Sequence, residues 1–445
     1  MTRVELAIVC RLNHKNRGGP ENMFTRGNVF KRKPYFVGFV LMGATVLAAC
    51  GSSSAASSSS TATSGSANAS AKSTSSNTPY VIHALVSETG PFSSLGGPEA
   101  KALTALAKYV NATGGIDGHP VQMSIQDNQS SPSTNVSLAT PLIQKGVPIL
   151  INGSGTATGA AVDALATPKG PFIFDLSPGN HPKPGSMVFT AGTPTSYDLQ
   201  VILTYLKAKG VTRIAALTSS DASGTDGWNQ LKAGLAEPGF SSVKVLVHET
   251  FNPSSVSVAT QLSVIKSKNP QAIIVWTVGA PFGTVLQGVS SLGMGNIPIF
   301  TSNGNANYGL LTHLSSYLPK SLNFIGEELY MPPADIKNPT VKSDVEAFDT
   351  AMKKAGGVVE AGYGLGWDPA YLLVKALRKL GVNATAPQIL NYMQNLHNAS
   401  GIYGVYNFSQ SNHDGIQKPY MHIFVFKGTY FEPVSHGGGL PLPAS

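Results

Sequence analysis

The sequence predicts an α/β protein built around more than one mostly parallel sheet. From Pro79 onward, short apolar runs alternate with amphipathic stretches, a pattern typical of β-α units whose helices cover both faces of a parallel sheet. More than seven such units occupy roughly 250 residues, and two sheets accommodate them better than one; a single closed barrel is the alternative. With 445 residues, the chain is long enough for two or three domains.

Short apolar runs mark the predicted strands. In chain order these are Tyr80–Val86, Val121–Gln126, Val147–Ile151, Phe172–Phe174, Arg213–Leu217, Val243–Val247, Ala272–Thr277 and Ile297–Phe300. Helical periodicity marks the segments between them, and glycines follow the first two helices, where they favour termination. The predicted helices are Pro98–Asn111, Asp198–Lys209, Thr225–Leu235, Val256–Lys268 and Phe282–Leu292.

The end of the chain has a different pattern. Three further helices are predicted at Val341–Ala355, Tyr363–Leu380 and Ala386–Leu396. Two β-like segments follow, at residues 404–408 and 420–426, with a hairpin turn near Lys427-Gly428. This order is what we expect of a chain that completes lobes begun earlier.

The positive charge of the chain is concentrated near its start. The formal net charge is +8, but residues 1–49 carry eight basic and two acidic side chains, so the remaining 396 residues carry only +2. A basic protein favours nucleic acid or anionic membrane as a partner only where the charge lies on the folded body. We therefore expect no nucleic-acid partner.

The first 49 residues have the features of a secretory signal peptide. A basic cluster, Lys31-Arg32-Lys33, precedes the apolar run Tyr35–Ala49, which is too short to span a bilayer as a helix. Met23 is an alternative start. The ending Leu47-Ala48-Ala49-Cys50 resembles the bacterial lipobox, which implies cleavage before Cys50 and a diacylglyceryl group on its sulfur. The alternative is a short buried helix with an ordinary cysteine.

The two cysteines then leave no thiol for other chemistry. Cys10 is removed with the signal peptide and Cys50 is lipidated, so neither serves catalysis, a metal site or a disulfide. After Cys50, residues 51–78 contain no aromatic or branched aliphatic side chain. Such a segment cannot offset its ordering entropy by burial, so we expect residues 50–78 to form a flexible tether with a reach of roughly 30 Å.

The loops that follow the predicted strands are rich in Gly, Ser, Thr and Asn and poor in charge. In open α/β sheets, ligands bind beyond the carboxyl ends of the strands. Such loops offer backbone N–H groups and hydroxyls, and helix N-termini favour a carboxylate; helix capping is the alternative role of each loop. The loops are Ser87–Phe92, Asn152–Thr156, Leu176–Asn180, Ser219–Ser223, Val278–Pro281 and Ser302–Asn305.

Several motifs occur in the order found in a known family. They are Thr89–Phe92, Asn111–Gly118, Gln126–Pro132, Leu176–Pro178, Gly362-Tyr363 with Trp367–Tyr371, and Tyr403–Phe408 with Asn412–Asp414. From about Tyr80 to about Glu432, the chain resembles the substrate-binding lipoproteins of ATP-driven (ABC) importers, in the branched-chain amino acid (Leu/Ile/Val-binding) group of the type I periplasmic-binding fold.

This resemblance implies two doubly wound α/β lobes joined by three crossover strands, with a ligand in the cleft between them. Lobe 1 would comprise residues 79–195 and 326–402, and lobe 2 residues 196–325 and 403–445. By position, Ser154 and the neighbouring backbone would hold a ligand carboxylate, aided by Gly179, and Leu95 would lie near an apolar or aromatic wall. The implied ligand-binding set is Leu95, Ser154, Ser177, Gly179, His181, Thr225, Gly279 and Asn303.

Two positions depart from the family pattern. Amino-acid-binding members usually have an acid where this chain has Asn303, and that acid pairs with the ligand ammonium; an amide cannot supply the charge that a buried cation requires. An aromatic residue usually stands where this chain has Thr225. A neutral or acidic solute, such as an amide, polyol or carboxylic acid, is therefore as compatible with the sequence as an amino acid.

Enzyme signatures are weak in this sequence. Gly153–Gly159 after a predicted strand, with Asp175 about 20 residues on, matches a dinucleotide fingerprint only loosely, in spacing and in strand position. There is no G-x-S-x-G elbow, and the histidines form no H-E-x-x-H pair. We expect no enzyme activity, no cofactor and no metal; a secreted enzyme is the less favoured alternative.

The resemblance also implies partners and a location. We expect a monomer, lipid-anchored through Cys50 to the outer face of the cytoplasmic membrane, that delivers a small polar solute to an ABC permease and ATPase complex. A lipoprotein that senses its ligand and docks on a membrane receptor is the alternative.

Overall fold

The computed structural model describes residues 78–358 and 360–443. The predicted signal peptide (1–49), both cysteines and all but the last residue of the predicted tether lie outside the described residues. Among the residues that are described, no helix combines the length and apolar character needed to cross a membrane.

The first sheet consists of parallel strands near the start of the folded body. Its strands are β1 (Tyr80–Val86), β2 (Val121–Asp127), β3 (Ile149–Asn152), β4 (Phe172–Asp175) and β5 (Val188–Thr190), in the spatial order β2-β1-β3-β4-β5. Every residue of β3 and β4 is buried, as expected for parallel strands covered on both faces. The connecting helices are α1 (Ser93–Ala112), α2 (Pro132–Gln144) and α3 (Thr156–Asp163).

The second sheet contains parallel and antiparallel strands. Its strands are β6 (Arg213–Ser219), β7 (Lys244–Phe251), β8 (Ala272–Trp276), β9 (Ile299–Thr301), β10 (Leu322–Gly326), β13 (His422–Phe426) and β14 (Phe431–Pro433). The order is β14-β13-β10-β9-β8-β6-β7; only β13 and β14 run antiparallel to their neighbours. Its helices are α4 (Thr195–Ala208), α5 (Ala222–Ala236), α6 (Ala259–Ser267), α7 (Ala280–Ser291) and α8 (Tyr308–His313).

The C-terminal elements complete both lobes. After β10 the chain forms α9 (Pro339–Lys354), α10 (Ala361–Leu380) and α11 (Ala386–Gln394); α9 and α10 pack against α1. A small pair, β11 (Ala399–Ser400) and β12 (Val405–Tyr406), precedes the return to the second sheet through β13. The chain thus passes between the two sheets after β5, after β10 and after β12.

The prediction of two α/β lobes is confirmed, and the alternative of a single closed barrel is wrong because the strands form separate sheets. The β13–β14 hairpin also agrees with the predicted turn, since the Lys427 N–H donates to the Tyr430 carbonyl at 2.9 Å. The predicted strands omitted β5, β10 and β11, and the predicted helices omitted α2, α3 and α8.

Pro98 lies inside α1 and not at its start, where the sequence prediction placed it. Proline has no N–H to donate, so the carbonyl of Ser94, four residues earlier, lacks its helical donor. Asn307 Nδ2 donates to that carbonyl at 2.9 Å. Asn307 directly precedes α8, a helix of the second lobe. This hydrogen bond therefore joins the two lobes and gives the Ser94 carbonyl the donor that the proline cannot supply.

The last crossover is held by Asp368 on α10. Its carboxylate accepts hydrogen bonds from the backbone N–H groups of Ile402 at 2.8 Å and Tyr403 at 3.0 Å, and from the Tyr406 hydroxyl at 2.6 Å. Burial raises the pKa of Asp368 to about 6. The Trp367-Asp368-Pro369 motif therefore has a structural role: it fixes the segment through which the chain returns to the second lobe.

Candidate functional site

A small cavity lies between the two lobes, at the carboxyl ends of strands from both sheets. Its volume is about 50 Å³, room for roughly four water molecules at about 10–15 Å³ each. The first lobe contributes the loop before α1 and the loops after β3 and β4. The second contributes the start of α4, the start of α5 and the loops after β8 and β9. The site therefore lies where ligands bind in open α/β sheets.

Five of the eight predicted ligand-binding residues line this cavity. They are Leu95, Ser154, Ser177, Gly179 and Asn303. The other three do not line it: Thr225 lies on α5, His181 pairs with a residue of α5, and Gly279 lies against the backbone of Pro91. Ligand contact by any of the eight stays a prediction.

The hydroxyl of Ser154 is already engaged within the protein. It accepts a hydrogen bond from the Ser87 N–H at 2.9 Å and donates to Glu99 on α1. Burial raises the pKa of Glu99 to about 8. Ser154 also has a φ of 81°, in the region that favours glycine. The Ser154 hydroxyl thus already has two partners within the protein, and the neighbouring backbone, predicted to share in holding a carboxylate, leads into the start of α3.

The start of α3 offers polar groups to the cavity. The first N–H groups of a helix have no intrahelical acceptor and carry partial positive charge. Thr156, the first residue of α3, lines the cavity, and its hydroxyl lies 3.0 Å from the hydroxyl of Ser177. A Cβ at Gly179 would lie 2.6 Å from Thr156 Oγ1. These groups form one polar wall that suits an anionic or hydroxyl group.

Asn303 contacts a buried acid that the sequence analysis missed. Its Nδ2 donates to Glu327 Oε1 at 2.6 Å, and the Thr193 hydroxyl donates to the same oxygen at 2.6 Å. Burial raises the pKa of Glu327 to about 7, and its Oε2 has no hydrogen-bond partner among the described residues. Glu327 directly follows β10, a strand that was not predicted, so its proximity to Asn303 could not be anticipated.

Asp198 is a second acid that the sequence analysis missed. It was predicted to begin a helix, but α4 begins at Thr195, so Asp198 lies in the first turn with its side chain at the cavity. Burial raises its pKa well above the usual range, and the charges of Glu327 and Asp226 raise it further. The described residues that line the cavity thus include one buried carboxylate, which comes from α4 and not from the loop that contains Asn303.

His181 connects the lobes beside the cavity. Its Nε2 lies 2.8 Å from Asp226 Oδ1 on α5. The histidine side chain is 45% exposed and the aspartate 11% exposed. Its predicted contact with a ligand stays a prediction, and in the structure its partner is on the opposite lobe.

Among the described residues, no group of three or more His, Cys, Asp or Glu side chains is arranged to hold a metal ion. The site therefore consists of carboxylates, hydroxyls, amides and backbone N–H groups around a small cavity. Such groups bind polar solutes through hydrogen bonds and charge.

Comparison with known proteins gives a consistent result. A family model described as periplasmic binding protein matches residues 79–428. No curated protein matches the chain. An extracellular ligand-binding receptor from Rhodopseudomonas palustris HaA2 has the same fold, with a TM-score of 0.71 and 18% identity, over 80% of this chain and 100% of that one.

Two further solved structures bear names that refer to solutes. The substrate-binding protein of a branched-chain amino acid transporter from Streptococcus pneumoniae, in complex with isoleucine, has a TM-score of 0.67 and 17% identity, over 80% of this chain and 98% of its own. The substrate-binding protein of a fatty acid ABC transporter from Thermomonospora curvata has a TM-score of 0.66 and 18% identity, over 81% and 94%. At these identities the similarity establishes the fold alone.

Proposed function

Because this chain belongs to the periplasmic binding protein family, we propose that it captures a small polar solute outside the cytoplasm and delivers it to an ABC permease and ATPase complex. The observation that carries the proposal is the cavity between the lobes, which is small and lined by buried polar groups at the carboxyl ends of both sheets. We assign the protein no catalytic role, and we propose that it acts as a monomer.

The size of the cavity supports a small solute. About 50 Å³ accommodates only a few non-hydrogen atoms in this conformation, so an amino acid, an amide or a related carboxylate or polyol fits better than a fatty acid chain. The polar wall formed by Thr156 and Ser177 supports a solute with hydrogen-bonding groups.

Delivery requires that the solute favour one arrangement of the lobes. We propose that the moving bodies are residues 79–195 with 326–402 and residues 196–325 with 403–445. A solute that contacts both lobes binds the closed arrangement more tightly than the open one and shifts the population toward it. The closed arrangement is then the one that the permease recognises.

A thermal-shift screen of small solutes, followed by mass spectrometry of any ligand that co-purifies, tests the proposal. A solute that binds only the folded protein raises the unfolding temperature by an amount that grows with its concentration. We expect at least one amino acid, amide, hydroxy acid or polyol to do so. If none of these classes raises the unfolding temperature and no small molecule co-purifies, the proposed function is wrong.

We further propose that Cys50 anchors the protein to the outer face of the membrane after removal of residues 1–49. Two acyl chains suffice for stable anchoring where one does not. Cys50→Ala should move the protein from the membrane fraction to the soluble fraction. Cys10→Ala is the matched control and should leave it with the membrane, since Cys10 is removed with the signal peptide. Membrane retention of the Cys50 variant would contradict the anchor.

A further inference from the structure

Asp198 has the environment of a binding group without its ligand. It is only 2% exposed, it lines the cavity between the lobes, and neither carboxylate oxygen has a hydrogen bond or ion pair among the described residues. Buried polar groups are nearly always hydrogen-bonded, and a buried carboxylate without a partner is costly. A solute with a hydrogen-bond donor at this position would supply the partner that no described residue supplies.

The surroundings of Asp198 favour a positively charged partner. Burial, and then the charges of Glu327 and Asp226, raise the pKa of Asp198 and so favour its protonated form when no cation is beside it. No lysine or arginine is among the residues that line the cavity. A cation bound beside Asp198 would favour its ionised form, as does the position of Asp198 in the first turn of α4.

A second unpartnered group lines the same cavity. The hydroxyl of Ser302 has no hydrogen-bond partner among the described residues, and the residue is only 6% exposed. A serine hydroxyl can accept a hydrogen bond from an N–H donor. Ser302 and Asp198 therefore offer two acceptors to one solute from separate elements of the second lobe.

We propose that Asp198 binds a protonated nitrogen of the solute, so that the transported class is a small ammonium-bearing molecule. This inference rests on the proposed function, and it names the recognition group of that same cavity. The amide at position 303 does not prevent such recognition, because the charge comes from α4 and not from the loop after β9.

Matched pairs of probes test the assignment. Alanine is compared with lactate, leucine with its α-hydroxy analogue, and butylamine with butanol, each by calorimetric titration and thermal shift at neutral pH. We expect at least one amine to bind and its hydroxyl analogue to bind about thirtyfold more weakly or worse, since loss of one partner of a buried charged pair has an effect of this size. Asp198→Asn should weaken amine binding by a similar factor.

The matched control is Asp349→Asn, which removes a carboxylate on α9 outside the cavity and should leave amine binding unchanged. A second measurement is the unfolding temperature without solute. Asp198→Asn should keep or raise it, because the carboxylate has no partner to lose. A large decrease would identify Asp198 as a structural residue and overturn the proposal.

The remaining outcomes separate this inference from the proposed function. If only hydroxyl analogues, anions or polyols bind, or if the amines bind equally well to Asp198→Asn, the assignment of Asp198 is wrong while solute binding stands. If no amine binds, the ammonium class is wrong. Failure of every solute class, charged and uncharged, would contradict the proposed function itself.

Discussion

His181 Nε2 and Asp226 Oδ1 lie 2.8 Å apart and join the two lobes beside the cavity. His181 belongs to the segment after β4, and Asp226 lies on α5 of the second lobe. The hydrogen bond that His181 Nε2 donates to Asp226 is the main cause that raises the pKa of His181; burial opposes it, and the charges of Asp226 and Asp414 add to it. Protonation of His181 therefore stabilises the contact between the lobes.

The pair predicts a pH-dependent population of the closed form. Because the pKa of His181 is raised when the pair forms, the stabilisation is fully present below the ordinary histidine pKa of about 6.5 and is lost as pH rises through the raised value. His181→Gln should weaken solute binding about threefold below pH 6.5, a modest effect because the pair is partly exposed.

Small-angle scattering of the solute-free protein should show a larger radius of gyration for the variant than for wild type at low pH, and equal radii at high pH. His313→Gln, on α8, is the matched control; a wild-type radius for His181→Gln at every pH would contradict the prediction.

Glu99 should make the folded protein less stable as pH rises. Burial raises its pKa from 4.5 to about 8, so the folded state binds this proton more tightly than the unfolded state does. Stability is then lost as pH rises from about 4.5 through about 8. Glu99→Gln should flatten that decrease and raise the free energy of unfolding near pH 8 by on the order of a few kcal/mol. Denaturant unfolding at several pH values measures this.

The control for Glu99 is Glu346→Gln on α9, a glutamate whose side chain is 55% exposed. It should leave the pH dependence as in wild type. If the free energy of unfolding of the Glu99 variant depends on pH as in wild type, then Glu99 does not take up a proton on folding in this range.

Most strands and helices of this fold could be predicted from the sequence, because apolar runs and helical periodicity are local signals. Strand β10 was not predicted, since Asn323 interrupts its apolar run and Gly326 ends it. In the structure Asn323 is buried, and its Nδ2 donates at 3.0 Å to the carbonyl of Ile299 on the neighbouring strand. A polar residue with such a partner is compatible with a central strand, but its partner cannot be identified from the sequence.

Only those site residues whose place in the chain determines where they lie in the fold could be predicted from the sequence. Ser177 and Asn303 follow strands, and loops after parallel strands meet at one edge of a sheet. Asp198 and Glu327 gave no comparable signal, because an acid in the first turn of a helix or after a strand is ordinarily a solvated residue. Their significance comes from burial at the cavity or beside it, and from one oxygen of each carboxylate that has no hydrogen-bond partner among the described residues.

Two adjacent glycines on α1 should respond differently to substitution by alanine. A Cβ at Gly96 would lie 2.2 Å from the carbonyl oxygen of Ser87, whereas a Cβ at Gly97 meets nothing within 4 Å. Gly96→Ala should lower the free energy of unfolding by about 1–3 kcal/mol, since backbone must move. Gly97→Ala should change it by no more than about 1 kcal/mol, because the lower conformational freedom of alanine is offset by the restriction that Pro98 places on the residue before it. Denaturant unfolding of both variants measures the difference, and equal changes would contradict the close approach of α1 to Ser87.

An aspartate at position 303 should be tolerated at low pH and destabilising at high pH. Asn303 Nδ2 now donates to Glu327 Oε1 at 2.6 Å; in Asn303→Asp two carboxylates would share that contact, and like charges at this distance cannot both ionise without cost. The pair would hold a proton more tightly when folded, so stability should fall as pH rises through the pKa of Glu327, about 7 in the wild type. The unfolding temperature of Asn303→Asp should therefore be close to that of wild type near pH 5 and well below it near pH 8. Addition of Glu327→Gln should restore stability at the higher pH, because the glutamine amide can donate to the new carboxylate. If the single variant has wild-type stability at both values, the carboxylate of Glu327 does not face position 303 in solution.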